Sequence, residues 1–362
     1  MKAFTLSLLA LALISTSCKK SKSNGTVDLP NAELKTRVVT SALTLPWEII
    51  YGPDNQLWVT ERSGKISRVN PETGVITPLL TISEVVSNGE GGLLGMALNP
   101  AFSTNPWVYV VYNYGSTYRE KVVRYTYTNG TLNSPFVILD GIPASSIHNG
   151  SRLLITADQK LLITTGDASN APNAQDLNSL SGKILRVNLD GSIPADNPTA
   201  GSRVWSFGHR NPQGLVEANG KIYSSEHGPN NDDEVNIIQK GRNYGWPNVE
   251  GYCNETNEKG FCTTNNVVEP IVAWTPTIAT CGLTYYNSDY IPQWKNSLLL
   301  VNLKASKLIQ LKLNDAGTQV AESTDFLVNA FGRLRAICQS PEGKIYIATS
   351  NGNQDRIIEI AK

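Results

Sequence analysis

A short unit recurs along this chain: a turn rich in Asp, Asn or Gly, an alternating strand, a second turn and another strand. It reads Gly52-Pro53-Asp54-Asn55-Gln56-Leu57-Trp58-Val59-Thr60 and continues as Gly64-Lys65-Ile66-Ser67-Arg68-Val69. It returns as Ala157-Asp158-Gln159-Lys160-Leu161-Leu162-Ile163-Thr164, partnered later by Gly182-Lys183-Ile184-Leu185-Arg186-Val187. Asn219-Gly220-Lys221-Ile222-Tyr223 is a shorter echo. Ser340-Pro341-Glu342-Gly343-Lys344-Ile345-Tyr346-Ile347-Ala348, with Arg356–Ile360 as its partner, closes the series. Period-two alternation bounded by such turns marks antiparallel hairpins. A small antiparallel sheet cannot bury both faces alone, so repeated sheets stack around an axis. Because the unit occurs at both ends of the chain, a closed ring is favoured over a pair of β-sandwiches. The expected fold is all-β, a β-propeller. Blades of about 40–45 residues would give seven or eight. Gly and Pro interrupt most helical windows, so no amphipathic helix of ordinary length is expected.

The 31 basic and 31 acidic residues balance, which leaves no electrostatic footprint for nucleic acid. Lys2, an apolar run from Phe4 to Ile14, and Ser15-Thr16-Ser17-Cys18 have the layout of a secretory leader too short to span a bilayer. The small residues before Cys18 are similar to a lipoprotein cleavage site, with Ser15 in place of the usual Leu. The polar tether Lys19–Gly25 follows directly. The expected organisation is therefore a signal over 1–17, a linker over 18–34 behind a lipidated Cys18, and one propeller over 35–362. The product is an exported periplasmic or cell-envelope lipoprotein, monomer or homodimer, touching membrane only through its lipid. In an oxidising compartment Cys253 and Cys262 are expected to pair. Spacing does not show whether Cys281 and Cys338 do. Three His and no Cys/His cluster speak against structural zinc.

Several stretches place polar or conformationally special residues beside strands. Gly89-Glu90-Gly91-Gly92 holds one charge in a glycine-rich turn. Ser145-Ser146-Ile147-His148-Asn149-Gly150 offers an imidazole, the natural acceptor for a hydroxyl proton, although a lone loop His is more often a surface residue. Phe207-Gly208-His209-Arg210-Asn211-Pro212 presents fixed donors for a carboxylate or developing oxyanion, or simply an arginine that braces loops. Glu226-His227-Gly228-Pro229-Asn230-Asn231-Asp232-Asp233-Glu234 supplies side-chain and backbone oxygens of the kind Ca²⁺ prefers, without an EF-hand pattern. A solvated acidic turn is the alternative. Arg333-Leu334-Arg335 places two guanidiniums on one face of an extended segment.

Taken in order, these stretches resemble the soluble quinoprotein sugar dehydrogenases, glucose and aldose types, from about Leu45 to the C-terminus. Gly208–Gly214, Glu226–Pro229 with Asp233-Glu234, and Asn243-Tyr244-Gly245-Trp246-Pro247 are specific as a set. Gly64-Lys65-Ile66 and Asn188-Leu189-Asp190-Gly191 strengthen it. The resemblance implies six blades, with pyrroloquinoline quinone (PQQ) and Ca²⁺ on the axis. By the same resemblance His148 is the catalytic base and Arg210 stabilises charge at the quinone oxygen. Arg210, Asn211, Lys304, Arg333 and Arg335 contact the cofactor, and Glu90 and Trp274 lie near the substrate. Gly228 and Pro229 offer carbonyls to the catalytic Ca²⁺, while Glu234 and Tyr244 match a second Ca²⁺ site of some members.

The chain departs from the glucose enzymes at two sugar-contacting positions, with Glu90 for Gln and Ile147 for Asp. Its loop after Asp167, Ala168-Ser169-Asn170-Ala171-Pro172, is shorter. These differences imply an aldose dehydrogenase of broad substrate use, passing electrons to an exogenous acceptor. Two alternatives stand beside it: a Ca²⁺-dependent lactonase or hydrolase propeller, and a sugar-binding propeller without catalysis.

Overall fold

The structure is a computed structural model that describes residue 1 and residues 34–362. The expected signal, Cys18 and its linker lie outside the described residues. Six four-stranded antiparallel sheets account for the strands. Blades I to V follow one another along the chain, and their innermost strands are Pro46–Tyr51, Leu93–Leu98, Gly150–Ile155, Pro212–Ala218 and Thr280–Tyr286. Blade VI runs outward from Leu334–Gln339 through Ile345–Thr349 and Asp355–Ala361. Its outermost strand is the first of the chain, Lys35–Leu43, paired antiparallel with Asp355–Ala361. Ring closure thus joins the two ends of the fold by backbone hydrogen bonds.

The blade count is six, fewer than strand spacing suggests. Long connections explain the difference: blade III carries a loop from Gly166 to Gly182, and blade IV one from Gln239 to Ile271. The second contains the one helix of ordinary length among the described residues, Thr256–Asn265, which corrects the expectation of none. It has no apolar stripe to advertise it. Glu258 fixes its start by accepting the Glu255 and Glu250 amides at 3.0 and 3.2 Å, and the Cys253–Cys262 disulfide staples it. Cys281 and Cys338 are both free thiols.

Six apolar clusters fill the gaps between neighbouring blades. One holds Trp58 and Ile66 of blade I against Val108 and Val110 of blade II. Another packs Leu299 and Val301 of blade V on Leu334 and Ile347 of blade VI. Inner strands are covered on both faces, so Leu57–Glu61 and Ser297–Asn302 are buried throughout. Such strands read as continuous apolar runs rather than clean alternations.

One irregularity repeats six times. Each innermost strand has a register shift in its first residues: Pro46/Glu48, Leu93/Met96, Gly150/Leu153, Pro212/Gly214, Thr280/Leu283 and Leu334/Ala336. A bulge re-aims side chains at the strand entry. Here all six entries lie at one end of the axis. The recurring Asp-Asn and Asn-Gly turns lie at the other, where Asn55, Gln159, Asn219 and Gly220 adopt left-handed conformations with φ of 57°, 60°, 50° and 71°.

Candidate functional site

The entry loops gather a polar group around the axis. His148 precedes the innermost strand of blade III in a turn where His148, Gly150 and Ser151 have φ of 59°, 67° and 69°. Its amide donates to Glu90 Oε2 at 3.2 Å, and its ring Nδ1 lies 2.9 Å from Asp167 Oδ1. Asp167 is buried. It also accepts from Ser169 N at 2.8 Å and Trp246 Nε1 at 2.9 Å, so its carboxylate is a fixed acceptor. That places the imidazole proton on Nδ1 and leaves the Nε2 lone pair for a ligand. Gly166 allows the approach, because a Cβ there would sit 1.9 Å from the His148 carbonyl oxygen. Asp167 has no assigned role in the sequence reading. A lone Asp after Gly between strands looks like an ordinary turn.

Glu226 organises the adjoining loop from beneath. One oxygen accepts the Arg210 and Asn211 amides, and the other lies 2.9 Å from His209 Nδ1. His209 is fully buried, bonded to Ser206 and stacked on Tyr244 with centroids 4.7 Å apart. It is a structural histidine. Its neighbours are thereby presented upward. Arg210 lies over Trp246 at 5.3 Å, its Nη1 donates to the His227 carbonyl, and burial pushes its pKa down. Asn211 Oδ1 accepts the Gly150 amide at 3.0 Å, tying this loop to the His148 turn. Arg210 Nε and Asn211 Nδ2 are buried donors with no partner.

Blades I, II and VI complete the ring. Arg62, which the sequence reading leaves out, donates to the carbonyls of Gly89 and Gly91 and so holds the Glu90 loop. Arg335 is buried against Gln213 Oε1 at 2.6 Å, with an unpartnered Nε. Arg333 is exposed at the rim. The bulge between Leu334 and Ala336 sets the two arginines at different depths instead of side by side. Burial pushes both Arg62 and Arg335 down, Arg62 further through the charge of Arg335 and Arg335 through Arg152 and Arg333. Lys304 is exposed and donates to Thr277 Oγ1 at 3.1 Å.

Beneath this ring the axis is plugged. Trp47 carries the Arg152 guanidinium at 4.2 Å and that of Arg335 at 5.8 Å, and Arg152 pairs with buried Glu48. A cavity of about 570 Å³ opens on the opposite face, with Glu48 and Arg152 at its inner end. It does not include His148.

The expected metal residues lie in blade IV. Gly228 N donates to Asp233 Oδ1 at 2.9 Å, and the Gly228 and Pro229 carbonyls accept no hydrogen bond among the described residues. Glu234 is buried beside them and accepts from Asn236, and burial with the charge of Glu226 pushes its pKa well up. The Tyr244 hydroxyl is committed to the Ile237 carbonyl and the Gln239 amide. Trp274 is half-buried on the outermost strand of blade IV, packed on the cluster between blades IV and V. The structure brings His148, Glu90, Arg210, Asn211 and Arg335 together and places Arg333 and Lys304 on exposed loops. It sets Trp274 on a different strand layer.

A propeller with a carboxylate-held imidazole and desolvated cations at one axial mouth is built for chemistry on a polar, anionic ligand. The sequence matches the Glucose / Sorbosone dehydrogenase family over residues 43–359. Quinoprotein glucose dehydrogenase B of Acinetobacter calcoaceticus is 34% identical over 405 aligned residues, covering 86% of this chain and 84% of that protein. Aldose sugar dehydrogenase YliI of Escherichia coli is 31% identical, covering 89% and 91%. Among solved structures, the PQQ-bound aldose sugar dehydrogenase of Streptomyces coelicolor superposes with a TM-score of 0.80 at 33% identity, covering 92% of this chain and 99% of that one. The chain belongs to the glucose/sorbosone dehydrogenase family and is a quinoprotein-type sugar dehydrogenase.

Proposed function

We propose that this chain oxidises the anomeric carbon of aldoses to lactones in a PQQ- and Ca²⁺-dependent reaction. The observation that carries the reading is the His148–Asp167 pair set among buried, under-neutralised cations. Arg62 and Arg335 are both desolvated, Arg62 also feels the charge of Arg335, and Arg210 Nε, Asn211 Nδ2 and Arg335 Nε lack acceptors. Unpaired buried donors are costly, so a planar polyanion rich in oxygen fits them. With its three carboxylates, PQQ is such a group, and Lys304 and Arg333 at the rim add charge. The free carbonyls of Gly228 and Pro229 fit a hard cation such as Ca²⁺.

When bound, the quinone supplies the hydride acceptor, and the protein supplies position and electrostatics. His148 Nε2 takes the proton of the anomeric hydroxyl, while Asp167 holds the ring and stabilises the imidazolium that forms. Arg210 stabilises negative charge that develops opposite the substrate. Glu90 accepts from sugar hydroxyls, and Ile147, exposed beside His148, offers them nothing polar. Such a mouth selects weakly among aldoses.

Electrons leave to an exogenous acceptor. The Cys253–Cys262 disulfide suits an oxidising compartment, in keeping with export and a lipid anchor on Cys18. A hydrolase reading has no use for this many cations. Adding PQQ and Ca²⁺ to the apo-protein and assaying dye reduction with a panel of aldoses tests the proposal. Failure to reduce dye with every sugar would overturn it.

A further inference from the structure

Beneath the His148 turn lies a carboxylic acid that no step of the proposed reaction uses. Glu120, on the blade II strand Arg119–Thr128, is 1% exposed. Its cross-strand partner is Asn113, whose Oδ1 accepts the Gly92 amide at 2.9 Å and so supports the Glu90 loop. Glu120 itself bonds to Ser151, the residue that ends the His148 turn. The Ser151 hydroxyl also lies 3.0 Å from the carbonyl oxygen of Asn149. The turn packs directly on blade II: the Ser151 carbonyl oxygen approaches Gly95 so closely that a Cβ there would lie 2.1 Å from it.

A hydroxyl has one hydrogen, and here it faces two acceptors. If Glu120 is ionised, Ser151 donates to the carboxylate and the Asn149 carbonyl loses its donor. If Glu120 is protonated, its O–H donates to Ser151 Oγ and the Ser151 O–H donates to Asn149. Only the second arrangement makes both contacts hydrogen bonds. We propose that protonated Glu120 is a positioning residue that, through Ser151 and the Asn149 carbonyl, fixes the left-handed turn presenting His148.

The surroundings support the protonated form. Burial pushes the Glu120 carboxyl up to about 8, opposed only by the bond from Ser151. The groups facing it are Ser151 from blade III and, from blade II, Asn113 and Ile142 on the flanking strands. None of them titrates. The titratable neighbour is the Tyr118 phenol, which Glu120 helps to push up and which donates to the Asn88 carbonyl. Among the described residues no cation pairs with the Glu120 carboxyl.

The proposal rests on His148 being the base, so its test has an arm that does not depend on turnover. The chain has three His, which makes imidazole NMR of the apo-protein tractable. In that spectrum Ser151→Ala is expected to shift the His148 signals and leave those of buried His209 in place. In the enzyme reconstituted with PQQ and Ca²⁺, Ser151→Ala should lower kcat by about 10-fold or more, with KM for the sugar within about twofold, as expected for a misplaced base. Glu120→Gln donates to Ser151 at every pH. It should keep kcat within about twofold and abolish the fall in kcat expected of the wild type as Glu120 ionises, above about 8. A Ser151→Ala variant with unmoved His148 signals would overturn the proposal, as would a Glu120→Gln variant that keeps the alkaline fall. Should His148→Ala retain activity, the base assignment fails, while the apo spectra still report whether Ser151 positions the ring.

Discussion

Asp167 Oδ1 lies 2.9 Å from His148 Nδ1, and their two segments are joined a second time where the next residue, Ala168, donates its amide to the His148 carbonyl at 3.2 Å. The orientation of the imidazole is therefore set by the loop between the second and third strands of the same blade. That loop is in turn bound to blade IV: Asp167 N donates to the Arg210 carbonyl, and Trp246 Nε1 to its carboxylate. His148, proposed as the base, and Arg210 share one rigid frame.

Asp167→Asn removes the charge and offers an amide N–H toward Nδ1, which favours the wrong imidazole tautomer. In a Ser-His-Asp triad this change lowers kcat by about 10⁴-fold. A loss of about 10²–10⁴-fold is expected here, with a change in melting temperature of only a few degrees. Steady-state kinetics beside thermal melts check it; wild-type kcat would refute the orienting role.

Glu226→Ala should behave differently, because both Glu226 oxygens are taken up by the protein's own groups. It leaves the amides of Arg210 and Asn211 and the His209 ring without their acceptor in a site that is closed to water. Breaking a buried charged network in this way costs about 3–5 kcal/mol. Urea denaturation should show that loss, with Glu226→Gln intermediate. Equal stability of the alanine variant would contradict the account.

The parts of this fold that are legible in the sequence are those made by neighbours in the chain. Asp54-Asn55, Asp158-Gln159 and Asn219-Gly220 announce hairpins because left-handed turns need such residues. The pairing of Lys35–Leu43 with Asp355–Ala361 joins opposite ends of the fold and leaves no local mark. The same holds in the site. His148 and Arg210 stand in distinctive loops, whereas the contacts that matter at Arg62, Asp167 and Glu120 are made with partners distant in sequence. Arg333 and Arg335 show how alternation misleads: the bulge after Leu334 buries one and exposes the other.

Lys183 gives a pH prediction of unusual sign. Its ammonium donates to the carbonyls of Asn173, Ser181 and Ala174 at 2.7, 2.8 and 3.2 Å, pinning the loop that carries Asp167. Burial outweighs the nearby charge of Asp176 and pushes its pKa from 10.5 down to about 8. Between those values the unfolded chain keeps a proton that the folded chain has released, so this group makes stability rise with pH. The difference in unfolding free energy between wild type and Lys183→Met should climb from pH 8 towards 10, by at most about 1.4 kcal/mol per pH unit. A flat or falling difference would count against a depressed pKa.

The calcium assignment can be tested at a residue with no side chain. A Cβ at Gly228 would sit 1.8 Å from the Asn231 carbonyl oxygen, so Gly228→Ala must open the turn that aims the Gly228 and Pro229 carbonyls. The blade itself should survive, since the strands Lys221–Glu226 and Asp233–Ile238 pair on either side of that turn. In the wild type, Ca²⁺ at about 100 times its Kd should add about 2.7 kcal/mol to stability, and a chelator should remove it. Gly228→Ala should melt near the chelated wild type, gain nothing from added Ca²⁺, and bind PQQ at least about 10-fold more weakly, given that 1.4 kcal/mol is tenfold in affinity. If the variant responds to Ca²⁺ as the wild type does, the ion is held elsewhere, with Glu234 the next residue to change.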